Sequence, residues 1–383
     1  MLLKNLFTSL SKDSPVFTTG AVMVGTMLWL LVFEVVLYLA IPYHSPPAAP
    51  NALQKYLEYG RSVEGKIRRL VGPTEEKTIP VTMTGWLDPT RWQTKPSQPK
   101  VQGGLLIAIY GMSFTQHVGM ALEKVNPQVT VRFAGGPGVP PSHSYKLYQL
   151  DRGRHSAPVI ALGISASSIS GMTTFTGLNQ KFEYPLPYTY PRYHKVGDHI
   201  EEIWPAIRTM DDFRRVLNDP IWWKKYIQEL QAEDSYYRPF LFSENVMDNF
   251  VIFRFLRRSW SKRVAQEIKN SIYNPRQGFN ENSEVIQTLR WIIKEFTHQV
   301  RSDGQLPLLM LFNNRGYADH LYQALAKTIA ENDIPTLNSH TLVPADNPKS
   351  LARDGYHFSR EVNRQFAEEV LRIIQQRRGQ AGF

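Results

Sequence analysis

The sequence contains no cysteine. That excludes a disulfide framework, a thiolate metal site, an iron–sulfur cluster and a cysteine nucleophile. Histidine is sparse, with 10 in 383 residues. Among them His194 and His199 stand close together with Asp198 between, a spacing that matches no metal-binding motif. Neither a metal nor a cofactor is expected. There is no internal repeat and no nucleic-acid-binding motif, and nucleic acid is not an expected partner. Charged residues are 20% of the chain, against 42% hydrophobic and 12% aromatic, which excludes a disordered polymer. Acidic residues are the scarcer sign, 34 against 44 basic, and the net charge of +10 favours an anionic partner such as phospholipid head groups or an acidic polysaccharide. The length suits one large domain or two ordinary ones, and it buries a core without staples.

What is present begins with one long apolar run. Residues 16–41 hold a single charge, Glu34. A helix needs about 20 apolar residues to cross a bilayer, whereas the apolar core of a cleaved signal peptide has about 7–15. The run therefore reads as an uncleaved transmembrane helix, with residues 1–15 as a short tail before it. Glu34 is either a tolerated carboxyl or a contact with another membrane protein. Lys4 and Lys12 before the run and Lys55, Arg61 and Lys66 after it leave only a slight positive-inside bias. No second long apolar run follows. Residues 42–77 read as a proline-rich, extended linker and a short helix, with a strand expected over 79–84 and a loop over 88–102.

From Gly104 onward, apolar runs of strand length alternate with helical segments. Residues 105–110, 129–134, 158–164, 306–312 and 334–337 read as strands, and 116–125, 139–150, 316–331 and 359–376 as helices, the last with Ser359 as N-cap. The pattern predicts an α/β domain over 78–383, with a parallel sheet covered by helices on both faces. Residues 179–302 read as a mostly helical insertion. Within it, residues 253–263 mix basic and aromatic side chains; the expectation is an amphipathic helix with a solvated basic face, the alternative a surface that tracks an acidic polymer or a membrane. Trp222 and Trp223 read as helix core or anchor rather than sugar platforms.

In a parallel sheet, function collects at the carboxyl ends of the strands. After the first strand comes Gly111-Met112-Ser113-Phe114-Thr115. Ser113 on a strand-to-helix turn would present its hydroxyl beside a helix N-terminus, which favours developing negative charge. The alternative is that Ser113 or Thr115 caps the helix. After the second strand comes Gly135-Gly136-Pro137-Gly138, where the backbone is able to approach a ligand closely or simply turn. After the third comes Ser165, with Ser167 and Ser168 behind it. Before the last helix stands Asp354-Gly355-Tyr356-His357. An Asp three residues before a His can hold one ring nitrogen and leave the other free to take a proton from a serine. The alternative is a surface turn with an Asp-Gly signal.

These blocks, in this order, resemble the SGNH (GDSL-type) hydrolase superfamily. The resemblance implies an SGNH/flavodoxin-like sheet over 104–376 and leaves out 179–302. It implies Ser113 as nucleophile, His357 as base and Asp354 as its orienting acid. It implies an oxyanion hole from the backbone of Ser113 and Gly138, with Gly135 or Gly136 as substitutes. Two positions depart from the pattern. Met112 replaces an aspartate that is outside the triad, and Ser165 stands where the family has its oxyanion asparagine. Loss of one oxyanion donor slows such enzymes by about 10²–10³, so either Ser165 or a neighbour donates, or the site is weakened.

With one N-terminal span, the chain is similar to membrane-tethered proteins of polysaccharide O-acetylation. The implied activity is a serine esterase or O-acyltransferase acting on acyl, in particular acetyl, esters of a cell-surface glycan. The implied placement is N-terminus cytoplasmic and domain periplasmic or extracellular, with the membrane, the glycan ester and a membrane O-acyltransferase as partners. The alternative is a catalytically weak scaffold that binds glycan or assembles an envelope complex. A lipid esterase is a third reading.

Overall fold

The computed structural model describes residues 15–40, 52–71, 85–88, 92–197 and 199–381. The expected cytoplasmic tail, proline-rich linker and strand over 79–84 lie outside them, as does Asp198. In chain order the main helices and core strands are α1 (Pro15–Ala40), α2 (Ala52–Glu58), α3 (Val63–Val71), β1 (Leu105–Gly111), α4 (Ser113–Val125), β2 (Val129–Gly135), α5 (Pro141–Asp151) and β3 (Val159–Ser165). Then come α6 (Met210–Asn218), α7 (Pro220–Glu233), α8 (Val251–Ile272), α9 (Glu284–Ser302), β4 (Leu306–Phe312), α10 (His320–Glu331), β5 (Thr336–Asn338) and α11 (Arg360–Ala381). The one short helix expected within residues 42–77 is two helices, α2 and α3.

The chain divides into two compact units, Met1–Pro80 with Pro239–Trp260, and Val81–Arg238 with Ser261–Phe383.

In the second unit β1–β5 form one five-stranded sheet in the order β5-β4-β3-β1-β2, and every neighbouring pair is parallel. Parallel strands are buried on both faces, which is why β1, β3 and β4 are near-continuous apolar runs. Leu106, Ala108 and Tyr110 point to one face, where they join the side chains of α5, α9 and α10 in the main core. Alternate residues point the other way. There Gly119 of α4 lies so close to Val131 and Ile109 that a Cβ would touch both, and α11 packs on α4. Helices thus cover both faces of the sheet. Residues 179–302 supply α6 to α9 and also an antiparallel hairpin, Arg192–Val196 with His199–Ile203. His194 lies on that hairpin against Glu233 and Glu284, at 3.3 and 3.1 Å. Trp223 is buried, while Trp222 is half exposed with the Lys225 ammonium 4.4 Å above its ring.

In the first unit, Thr19–Ala40 within α1 has a mean hydropathy of 2.2 and is the one helix among the described residues long and apolar enough to cross a membrane. Its one carboxylate is buried and bonded within the chain. Glu34 Oε1 accepts from the Val251 N–H at 2.6 Å and Oε2 from the Ile252 N–H at 3.1 Å. The first N–H groups of a helix have no intrahelical partner, and a carboxylate there meets the positive end of the helix dipole.

The start of α8 departs from the expectation for three of the five basic residues in 253–263. Arg254, Arg257 and Arg258 are buried, not solvated. Arg257 donates to Asp248 at 2.8 Å and to the Phe240 carbonyl at 2.7 Å. Arg254 reaches the Asp248 carbonyl at 2.7 Å and Glu58 at 3.3 Å, and Arg258 covers the Tyr56 ring at 3.6 Å. Asp248 further accepts from the Ser62 backbone and hydroxyl at 2.6 and 2.8 Å, joining α8 to the start of α3. Phe255, Leu256, Ser259 and Trp260 face outward, and one turn on Lys262 and Arg263 are solvated as expected.

Candidate active site

Ser113 is the first residue of α4, directly after β1. The turn is tight because Gly111 has no side chain: a Cβ there would run into Thr115. The helix cap falls on Met112, which makes no side-chain capping bond, and Thr115 Oγ1 turns to the Met112 sulfur at 3.4 Å. Neither hydroxyl caps the helix, and that of Ser113 is directed elsewhere.

It meets His357. Ser113 Oγ lies 2.7 Å from His357 Nε2. His357 Nδ1 lies 2.6 Å from Asp354 Oδ2, so the neutral ring donates to the carboxylate through Nδ1 and accepts the serine proton at Nε2. The loop that carries this pair is closed locally. Gly355 takes a φ of 66°, a turn conformation that suits glycine. The Ala352 N–H donates to the His357 carbonyl at 2.7 Å, and the Ser359 N–H to Ser350 at 2.8 Å. Asp354 Oδ1 accepts from the N–H groups of Tyr356 and His357 at 2.9 and 3.0 Å. The His357 hydrogen bond, helped by these two N–H groups, holds the Asp354 carboxyl down at about 2. Ser359 accepts from the Val362 N–H at 3.3 Å and caps α11.

The imidazole is packed on several sides. The rings of Phe114, His117 and Tyr356 have centroids 5.0, 4.9 and 5.0 Å from it. Burial, and then the neighbouring His357, push the His117 ring below its ordinary value, which favours its neutral form.

Ser113 opens on a cavity of about 460 Å³ that is also lined by Gly135, Gly136, Pro137, Trp86, Trp92 and Lys95. Gly138 follows Pro137 in the left-handed region, at φ 60°. Gly135 is required at its position, since a Cβ would stand on the Gly111 carbonyl of the adjacent strand. Polar contacts from α5 and β2 hold segments that line the cavity. His143 donates from Nε2 to the Gly85 carbonyl at 2.8 Å; complete burial drives its ring down to about 4, so it stays neutral. Arg132 is buried in a bidentate pair with Asp151 at 2.7 and 2.6 Å, and its remaining donors hold the carbonyls of Trp92, Lys95 and Pro96. Burial, then the nearby Arg132, lowers the Lys95 ammonium from its usual range.

Ser165 ends β3 in a different setting. It is 1% exposed, its hydroxyl donates to Asn314 Oδ1 and it lies 3.1 Å from Ser167 Oγ. Asn314 follows the end of β4. Its Oδ1 also accepts from the Ser167 N–H at 3.1 Å, and its Nδ2 is buried without a hydrogen-bond partner. Ser167 Oγ in turn meets the Tyr356 hydroxyl at 3.1 Å, next to the triad histidine. Ser168 donates back to the Ser165 carbonyl at 2.8 Å. The structure thus brings Ser113, His357 and Asp354 into one hydrogen-bonded line and puts Gly135 to Pro137 in the lining of the same cavity as Ser113. It leaves the Ser165 hydroxyl committed to Asn314.

Sequence reasoning did not single out Asn314, Tyr356, Trp86 or Trp92. For Asn314 a signal exists: Asn313-Asn314 directly follows the apolar run of β4, at the carboxyl end of a parallel strand. The two tryptophans flank a segment with no periodic pattern and carry no such mark. No protein-family model matches the chain, and no curated protein matches it. The site therefore stands on its own geometry.

Proposed function

We propose that this protein is a membrane-anchored, SGNH-like serine esterase or O-acyltransferase that acts on acyl, in particular acetyl, esters of a cell-surface polysaccharide. The observation that carries the reading is the line Ser113–His357–Asp354, with contacts of 2.7 and 2.6 Å, at the carboxyl end of a parallel sheet. In this reading Ser113 Oγ attacks the ester carbonyl while its proton passes to His357 Nε2. Asp354 holds the imidazole orientation and stabilises its charged form. The proton then goes to the departing sugar oxygen, leaving an acyl-Ser113. Water or a second hydroxyl gives its proton to His357, takes the acyl group and restores the serine. The N–H groups of Ser113 and of the Gly135–Gly138 turn receive the negative charge that develops on the carbonyl oxygen. Lys95 in the cavity lining suits an acidic sugar.

The anchor is α1. The domain is placed outside the cytoplasm with a cytoplasmic N-terminus, and a membrane O-acyltransferase is a fitting donor of acyl groups. Treating spheroplasts with protease tests the placement: digestion of the domain from Pro50 onward is expected, and full protection overturns it. Labelling with a serine-directed fluorophosphonate, wild type against Ser113→Ala, tests the chemistry. A serine-dependent adduct is expected, and equal labelling of the two proteins overturns the nucleophile.

One observation favours a second reading, a weak SGNH-like scaffold that binds glycan. The Ser165 hydroxyl is occupied by Asn314, so the third strand offers no free side-chain donor at that position. Acetyl-ester turnover by the purified protein separates the two, since a scaffold has none.

A further inference from the structure

We propose that the start of α8, Val251–Trp260, together with Val246 before it, is seated in the lipid of the bilayer beside α1, as a second, non-spanning contact with the membrane. The proposal rests on the reading that α1 crosses the membrane.

Depth is the first argument. Glu34 lies six residues before the end of α1 at Ala40. At a rise of about 1.5 Å per residue, that is roughly 9 Å inside the end of the span. The Glu34 carboxylate accepts from the backbone N–H groups of Val251 and Ile252 at 2.6 and 3.1 Å. A direct hydrogen bond puts these two peptide groups at the depth of Glu34, below the surface of the membrane that α1 crosses.

Polarity is the second. The large outward side chains are apolar: Val246, Phe255, Leu256 and Trp260 are 68, 37, 50 and 52% exposed, and the exposed polar ones beside them, Asn249 and Ser259, are uncharged. The arginines between them point inward to carboxylates, a carbonyl and an aromatic ring. A helix facing water has the opposite arrangement, whereas one lying in an interface sets apolar side chains toward the acyl chains.

Backbone chemistry is the third. In hydrocarbon, N–H groups must find partners within the protein. The exposed donors at a helix start are a liability there, and Glu34 satisfies two of them. The same bonds give the lone carboxylate of α1 its partners, so each group compensates the other's desolvation. This accounts for an acidic residue in an otherwise apolar span without any other protein.

The absence of native cysteine makes the test clean. Single Leu256→Cys, Val24→Cys and Trp222→Cys variants of the full chain are labelled with an environment-sensitive fluorophore. Each is reconstituted in phosphatidylcholine vesicles with brominated acyl chains, and iodide is the aqueous quencher. All three positions are exposed, so none of the substitutions removes a buried contact; Trp260→Cys serves as a second α8 position. The α8 label is expected to be quenched by brominated lipid to within about twofold of the Val24 label and to resist iodide, with the Trp222 label behaving oppositely. Glu34→Gln is expected to cut lipid quenching of the Leu256 label by about twofold or more, since an amide has one acceptor oxygen in place of two. Iodide quenching at Leu256 with lipid quenching at Val24 overturns the proposal while leaving α1 in the bilayer. Shielding from both quenchers overturns it in favour of a protein partner. Iodide quenching at Val24 removes α1 from the bilayer, and the proposal falls with it.

Discussion

The Ser113 hydroxyl lies 2.7 Å from His357 Nε2, although 244 positions separate the two in sequence. Ser113 is fixed by the turn from β1 into α4, and His357 by the closed loop that runs into α11. Because α4 and α11 pack on each other, the beginnings of the two helices bring the hydroxyl and the ring together. The Phe114 ring, 5.0 Å from the imidazole, fills the space beneath.

Removing the hydroxyl should remove the chemistry. Ser113→Ala is expected to lower acetyl-ester turnover by about 10³-fold or more. Far-UV circular dichroism should be unchanged, since the hydroxyl caps no helix. Wild-type turnover by the variant would refute the assignment.

Asp354→Asn tests the orienting role. The amide oxygen can still accept from the Tyr356 and His357 N–H groups, but its NH₂ would face Nδ1 and favour the wrong tautomer. A fall in kcat of roughly 10²–10⁴-fold with little change in KM is expected. In the native protein the carboxyl sits near 2. It stays ionised across the neutral and mildly acidic range, and its support for His357 is lost only as pH falls through about 2. A variant with native kcat would show that Asp354 is only a turn residue.

Ser165 is expected to matter more for stability than for rate. Ser165→Ala leaves Asn314 Oδ1 short of a donor, at a cost of about 1–2 kcal/mol, with kcat reduced less than about threefold. Ser165→Asn adds an amide to a site that is 1% exposed and already filled by Asn314, and should cost about 1–3 kcal/mol by overpacking. Chemical denaturation alongside ester kinetics checks both. A tenfold loss of kcat in Ser165→Ala without loss of stability would return the hydroxyl to the oxyanion hole.

A buried carboxyl in the same unit gives a pH signature. Burial pushes Asp234 up to about 6, against hydrogen bonds from Asn179 and the Tyr236 N–H. The folded state keeps this proton where the unfolded chain has released it. Stability is therefore highest below the unfolded value near 4 and falls as pH rises to about 6, by roughly 3 kcal/mol. Asp234→Asn should flatten that slope in thermal melts taken from pH 4 to 7. The Asn179 side-chain oxygen, buried without a partner, becomes an acceptor for the new amide if the Asn179 amide flips. An identical slope in both proteins would show that Asp234 is ionised throughout.

Much of the framework was legible because its signals are local. A strand buried on both faces must be apolar along its length, so β1, β3 and β4 can be read directly from Leu105–Gly111, Val159–Ser165 and Leu306–Phe312. The break between α2 and α3 was not legible, since Gly60 and Arg61 fall inside an otherwise helical pattern. Gly60 packs so close to the Arg254 backbone that a Cβ would collide with it. The direction of Arg254, Arg257 and Arg258 in α8 was missed for a related reason. Periodicity shows that a helix has two faces but not which one is covered, and Asp248, Glu58 and Tyr56 decided it.

The sequence by itself determined the length and apolar character of α1, the alternation of strand and helix, and the residue types at the strand ends, because length, period and turn chemistry act between near neighbours. Only the tertiary structure decided what those residues touch. It set Glu34 on the first N–H groups of α8, Asn314 on Ser165, and His357 on Ser113. Each of these contacts joins segments distant in the chain. Burial makes an unpaired polar group costly, so the partners were selected by which elements meet, and no short stretch of sequence carries that information.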